Sequence, residues 1–493
     1  MKSTIVAAVA ALLAAAGLPG AARAEGLALQ PCRLKGVEHE ALCGSLRRPL
    51  DPAAPTGVQI DVHVAVLPAL ARHKKPDPVV FFAGGPGQSA IALAGPLSRQ
   101  LARVLNRRDV VLVDQRGTGR SAPLLCAEAS PSRPLREVND PQWQMAEAER
   151  CRGELQKLPY GDLRQFTTSI AVADVDAVRR ALGVEKLNLV GGSYGTRAAL
   201  EYLRQFPQAV RRVVIDGVAP PDMVLPSSFS TDNQAALDTV LAACAAEPAC
   251  RARHPNLRAD WSALLQGLPR TVTVPHPLSG REETLTVTRE MVIGLVRLPL
   301  YAPVLASALP HAVTEAASGR FAALFGLAAA LGGGRAGETR LAGGMHFSVV
   351  CAEDVPRLDA TADRPGADFG DSFAVLYRKV CADWPRGRVP EAFYRVPPAP
   401  VATLVLSGGS DPVTPPRHGE RVSRALGPKA RHVVVEHAGH GVMAMGCMRD
   451  VVFRFIDAPG DDEALAVDAN CASGVPRPPA FAPVGAPGTG GSR

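Results

Sequence analysis

Leu187-Asn188-Leu189-Val190-Gly191-Gly192-Ser193-Tyr194-Gly195-Thr196-Arg197 reads as an apolar strand that ends in Gly-x-Ser-x-Gly and continues as a helix to Phe206. A serine at such a tight strand-to-helix turn is held with its hydroxyl exposed, and small residues beside it let the helix pack close to the strand. Gly191 and Gly195 supply that room, which makes Ser193 the candidate nucleophile. A five-residue pattern is weak alone, so its meaning depends on what the rest of the chain sets around it.

Upstream, Pro78 precedes Val79-Val80-Phe81-Phe82, a short apolar run that feeds Ala83-Gly84-Gly85-Pro86-Gly87 and predicts a buried strand with a glycine-rich exit. Residues 109–113 predict a second buried strand, leading into Asp114-Gln115-Arg116-Gly117-Thr118-Gly119-Arg120-Ser121. Residues 58–67 alternate apolar and polar side chains, as expected of a half-exposed strand at an antiparallel edge, and Pro68 stops them. Residues 169–182 have apolar side chains at helical spacing with Gly183 behind them, and Val213-Val214-Ile215 is the strand after the elbow helix. Strand and helix alternate through residue 220, which implies α/β construction: a mostly parallel sheet with helices on both faces.

Between Pro220 and Pro400 the rhythm changes to long helical stretches at 233–246, 261–268, 290–298 and 321–331, with proline- and glycine-rich breaks. This predicts a mainly helical cap over 221–400, inserted between a first core segment, 25–220, and a second, 401–472. The second segment begins with an apolar run at 401–406 and Ser407-Gly408-Gly409-Ser410-Asp411. A helix at 417–426, a strand at 433–436, His437-Ala438-Gly439-His440-Gly441 and a helix at 450–456 follow. Residues 473–493, rich in proline and glycine, have the composition of a disordered tail.

The 493 residues, 47% hydrophobic and 20% charged, suffice for a large core. Lys2, the apolar run 5–18 and Ala22-Arg23-Ala24 fit a cleavable export signal over 1–24, too short for a comfortable membrane span. All ten cysteines lie beyond it, an even count that suits an oxidising compartment. Successive pairing is adopted as the expectation: Cys32 with Cys43, Cys126 with Cys151, Cys244 with Cys250, Cys351 with Cys381, and Cys447 with Cys471. The net charge of +7 is scattered rather than blocked, which argues against nucleic acid as a partner, and no zinc-type cysteine and histidine spacing occurs.

Ser193 requires a base and an acid to orient it, and in this architecture both arrive later in the order serine, acid, histidine. Asp411 and His440 each follow an apolar strand among turn residues, at the carboxyl edge of a parallel sheet. Asp216 is a rival acid and His437 a rival base. Thr414 has two readings, a buttress of Asp411 or a cap of the following helix. The Tyr194 N–H and one from the loop after Phe82, for which Gly85 is chosen, are the candidate oxyanion donors.

Gly84-Gly85-Pro86-Gly87, Asp114-Gln115-Arg116-Gly117-x-Gly-x-Ser121, Gly191-Gly192-Ser193-Tyr194-Gly195 and the late Asp411 and His440 together resemble the prolyl and tripeptidyl aminopeptidase group of α/β-hydrolases. The export signal, the cysteines and Ser407-Gly408-Gly409-Ser410-Asp411-Pro412-Val413-Thr414-Pro415 resemble its secreted tripeptidyl-aminopeptidase-like branch. Ala83 stands where prolyl aminopeptidases typically carry histidine, which argues against strict proline release.

The resemblance implies a serine peptidase acting on free N-termini without metal or organic cofactor, and hence an anionic site for the substrate ammonium. Glu353 and Asp354 beside Cys351, and Asp383 beside Cys381, are the candidates. Peptides are the expected substrates and the periplasm or exterior the expected location. Carboxylic-ester hydrolysis by the same residues, or a non-catalytic binding role on the same fold, are the alternatives.

Overall fold

The structure, a computed structural model, describes residues 27–127, 130, 132–332 and 340–483. The expected export signal, 1–24, and the end of the expected tail, 484–493, lie outside these residues. In chain order the strands are β1 (Gln30–Cys32), β2 (Ala41–Pro49), β3 (Gln59–Leu67), β4 (Val79–Phe82), β5 (Val110–Val113), β6 (Leu187–Gly192), β7 (Val210–Asp216), β8 (Arg270–Pro275), β9 (Glu282–Val287), β10 (Thr403–Gly408) and β11 (Ala430–Val435). All but β8 and β9 form one sheet in the order β1-β2-β3-β5-β4-β6-β7-β10-β11. From β5 to β11 the pairing is parallel, and β1, β2 and β3 join antiparallel at one side.

Residues 58–67 are the antiparallel strand expected, but they do not form the edge. β2 pairs with β3 over eight positions and β1 lies outside β2, fastened to it by the Cys32–Cys43 disulfide. The short β1 and the mixed composition of β2 carry little period-two signal, so pairing rather than local pattern makes them strands.

The central strands are apolar throughout because both faces of the sheet are covered. Val80 and Phe82 of β4, Val111 and Val113 of β5, Leu189 of β6 and Val213 and Ile215 of β7 point into one buried cluster. Val79, Phe81, Val110, Leu112, Val190 and Val214 alternate with them into the cluster on the other face. Each side chain buried this way contributes about 1.5–3 kcal/mol. Helices Thr168–Ala181 and Tyr194–Gln205 pack on the first face, and Met448–Asp457 on the second.

The region 221–400 contains helices and also a two-stranded antiparallel sheet, β8 with β9. Val272 and Val274 face inward while Thr271 and Thr273 stay exposed, a period-two pattern turned at 276–281. This hairpin and the helices Leu225–Ala246, Leu257–Gln266, Arg289–Leu300 and Leu309–Ala317 enclose a separate core around Trp261, Val292, Leu309 and Phe321. Helices Gly343–Glu353 and Ser372–Ala382 instead bury Met345, Val349, Cys351 and Cys381 in the sheet's first cluster.

The five disulfides follow the successive pairing. The tail departs from its expectation in its described part. The Phe481 N–H donates to the Ser307 carbonyl at 3.0 Å and its ring packs on His311, so this stretch is seated on residues 307–311 by backbone and aromatic contacts that composition does not reveal.

Candidate active site

β6 ends at Gly192 and the helix begins at Tyr194, leaving Ser193 at φ 56° and ψ −127°. That conformation costs on the order of 1–3 kcal/mol for a residue with a Cβ and persists because its surroundings hold it. The Ser193 N–H donates to the Asp216 carbonyl at 2.9 Å, and the Ser193 carbonyl accepts from the Thr196 N–H and hydroxyl at 2.9 and 2.7 Å. The turn is also too tight for side chains beside it: a Cβ on Gly191 would lie 2.4 Å from the Gly195 carbonyl oxygen, and one on Gly195 2.0 Å from that of Phe82.

Asp411 follows β10, and His440 lies in the loop after β11. The His440 Nδ1 and the Asp411 Oδ2 are 2.8 Å apart. The Asp411 Oδ1 accepts from the Val413 and Thr414 N–H groups, and the Thr414 hydroxyl donates to Oδ2 at 2.8 Å while standing 3.1 Å from the His440 Nδ1. Thr414 is therefore a buttress, and the helix that follows, Pro416–Leu426, starts from Pro415 without a side-chain cap. Burial raises the Asp411 carboxyl, but the His440 charge and hydrogen bond and the two N–H donors outweigh it and hold it below the ordinary value.

Asp216, the rival acid, receives the Val442 and Met443 N–H groups and so clamps the far side of the histidine loop. Burial pushes its carboxyl up to about 6. Because its own carbonyl also holds the Ser193 N–H, one residue at the end of β7 anchors both the serine turn and the histidine loop. Gly217 follows in a left-handed conformation, and a Cβ there would stand 3.2 Å from the His440 ring. His437, the rival base, lines a groove with Ser410, Arg477 and Pro478, and its Nδ1 is enclosed without a hydrogen-bond partner among the described residues.

The glycine loop after β4 approaches the same point. A Cβ on Gly84 would lie 3.1 Å from the Ser193 Cβ and 3.2 Å from the Gly192 carbonyl oxygen, so this loop reaches the serine only as glycine. Gly85 follows at φ 111°. Among the described residues, neither the Gly85 nor the Tyr194 N–H donates to a backbone carbonyl.

Three residues of the covering segment that the sequence reading did not single out meet this site. The Tyr301 carbonyl accepts the His440 N–H at 3.1 Å, and its ring stands edge-on to the imidazole with centroids 5.4 Å apart. The Tyr377 hydroxyl lies 2.7 Å from the His346 Nε2. Desolvation holds that imidazole down at about 4, against the nearby Pro86 carbonyl of the glycine loop. Isolated aromatic and histidine side chains belong to no motif, and folding alone brings these to the site.

The acids proposed for a substrate ammonium are placed otherwise. Asp354 is fully buried and receives both terminal nitrogens of Arg197 at 3.1 Å, together with the Leu225 N–H. Glu353 is 1% exposed and accepts from the Thr168 N–H and hydroxyl at 2.8 and 3.0 Å, with Arg197 3.5 Å away. Thr168 in turn meets the Tyr194 hydroxyl at 2.7 Å. Burial pushes the Glu353 carboxyl up to about 7 against the Arg197 charge. Both acids therefore brace the elbow helix from behind, and Asp383 lies on the surface, 74% exposed and 3.5 Å from Arg152. The carboxylates were legible in the sequence, but the arginine that consumes them, four residues after Ser193, was not connected to them.

Residues 77–263 match the family described as alpha/beta hydrolase fold, and residues 367–471 the one described as TAP-like protein. The serine protease Hip1 of Mycobacterium bovis is 28% identical over 467 residues, covering 86% of this chain and 88% of that protein. A tripeptidyl aminopeptidase of Streptomyces lividans is 33% identical over 36% of this chain and 35% of its own length. A proline iminopeptidase of Neisseria meningitidis is 30% identical over 29% and 32%. With the strained serine turn and the Asp411–His440 pair at the carboxyl edge of a nine-stranded sheet, these similarities show a serine hydrolase with the α/β-hydrolase fold and a TAP-like C-terminal region, similar to serine proteases and aminopeptidases.

Proposed function

We propose that the chain cleaves peptides near a free N-terminus, with Ser193 as nucleophile, His440 as general base and Asp411 as its orienting acid. The bond between Asp411 and the His440 Nδ1 carries this reading, because it commits one ring nitrogen and leaves Nε2 to take the serine proton. Ser193 Oγ bonds to the scissile carbonyl carbon, and the carbonyl oxygen becomes an anion received by the Gly85 and Tyr194 N–H groups. His440 returns the proton to the departing amine, and water, activated by the same imidazole, releases the acyl group.

The names of the relatives support peptides as substrates. The division into core segments 25–220 and 401–472 with a cap between them accords with the separate core around Trp261. Five disulfides support folding in an oxidising compartment, consistent with export under the signal-like residues 1–24. Among the described residues no helix is long and apolar enough to cross a membrane.

A serine-directed phosphonate is expected to label Ser193, and Ser193→Ala to lose at least about a thousandfold in kcat. Mass spectrometry of products from a mixed peptide library is expected to show short N-terminal fragments. Full activity in Ser193→Ala, or cleavage of internal bonds with no preference for free N-termini, would overturn the respective parts of the reading.

A further inference from the structure

Arg297 lies on helix Arg289–Leu300, one turn before Tyr301, and residues four apart share a helix face. Tyr301 is the residue whose ring stands against His440. The Arg297 guanidinium lies 5.4 Å from the centre of the Phe373 ring, on helix Ser372–Ala382. One turn beyond Phe373 on that helix is Tyr377, which reaches His346. Arg297, Phe373 and Tyr377 thus lie along two neighbouring helices, with Tyr301, the residue against His440, at the end of one of them. Burial raises the Tyr377 hydroxyl to about 12, and the Arg297 charge opposes that rise, as expected of a cation close by.

The arginines whose side chains are fully buried have acids. Arg108 pairs with Asp77 and Asp457, Arg116 with Asp174, and Arg197 with Asp354. Arg297 is partly buried and, like Arg253, makes no ion pair or hydrogen bond among the described residues, with its Nε enclosed without a partner; unlike Arg253, it lies one turn from the residue that stands against His440. Enclosing a cation without compensation is costly, and the cost is recovered when an anion arrives. The acids around the serine are already committed: Asp411 to His440, Asp216 to the Val442 and Met443 N–H groups, and Glu353 and Asp354 to Thr168 and Arg197. The cation–π contact with Phe373 holds the guanidinium from one side, and a guanidinium can meet a carboxylate through two parallel hydrogen bonds.

We propose that Arg297 is the carboxylate-binding residue of the substrate cleft, so that the enzyme prefers substrates carrying a carboxylate near the scissile bond. The proposal rests on Ser193 and His440 being the reacting pair. Two substrate groups share this chemistry, an acidic side chain and the terminal carboxylate of a short peptide.

The test compares matched substrates on the full chain and its Arg297→Met, Arg297→Gln and Arg297→Lys variants. One peptide pair differs by glutamate against glutamine, a second by a free against an amidated C-terminus, and an ester pair is p-nitrophenyl hemisuccinate against its methyl ester. In Arg297→Met and Arg297→Gln, kcat/KM for the carboxylate-bearing member is expected to fall at least tenfold more than for its neutral partner, mainly through KM. Arg297→Lys is expected to restore part of that preference. The pair that responds identifies the source of the carboxylate. An equal fall in all members, or no change in preference in any pair, overturns the proposal, and the two neutral variants guard against one failing to fold. Should peptides resist the parent enzyme while both esters are cleaved, the peptide reading fails, and the ester pair still decides the role of Arg297.

Discussion

Asp216 and Glu353 show how much of this site is held by acids that never reach the substrate. Asp216 ties the serine turn to the histidine loop, and Glu353 ties the helix bearing Thr168 to the ring of Tyr194 through one hydroxyl. Glu353 makes a prediction about pH. Its folded pKa of about 7 lies above the ordinary 4.5, so its contribution to stability is fully present below pH 4.5 and is lost as pH rises through 7. Asp216, raised to about 6, acts with the same sign. Melting temperatures measured from pH 4.5 to 8 should therefore decline more steeply in the parent protein than in Glu353→Gln, where the Asp216 part remains. Identical slopes would show that Glu353 does not titrate in this range. The sequence named these residues without their partners, because the partner of each lies on another element and no spacing along the chain encodes it.

The serine turn is a property of two elements pressed together rather than of Ser193 alone. Gly195 sits where the elbow helix crosses the end of β4, so Gly195→Ala must push the helix off the Phe82 carbonyl. Overpacking of this kind costs about 1–3 kcal/mol, and the loss of alignment at Ser193 adds a fall in activity. Chemical denaturation and kcat should both show it, and a variant with the stability and rate of the parent would remove the close-packing explanation. The elbow was legible because its glycines, its strand and its helix are contiguous. The same holds for β4 and β5, whose burial on both faces leaves unbroken apolar runs. The hairpin β8–β9 was also written locally, in the alternation Thr271-Val272-Thr273-Val274, but it lies among helices that dominate the pattern of the region. β1 and β2 were not, since their place depends on β3 and on the Cys32–Cys43 bridge.

Across the whole molecule, the disulfides fasten each region to itself: the bridged residues are 6 to 30 positions apart. Such local closure made successive pairing a sufficient guide. The longest loop, Cys351–Cys381, joins the two helices that carry Glu353 and Tyr377, and closing it stabilises the fold by about 3–4 kcal/mol on chain entropy alone. Replacing both cysteines by alanine should lower stability by that order in denaturant melts, whereas an unchanged midpoint would place the stabilisation in the surrounding core. The segment that covers the site presents a different kind of join. A carbonyl from Tyr301 holds the histidine loop, and Gly439 is needed there because a Cβ would fall 2.4 Å from that oxygen. The histidine loop and the segment over it are thus joined through their backbones. Replacing the segment around Tyr301 by one with no carbonyl at this point would release His440 from one of its anchors, so a change of the residues over the site is felt by the imidazole even where every side chain of the core stays the same.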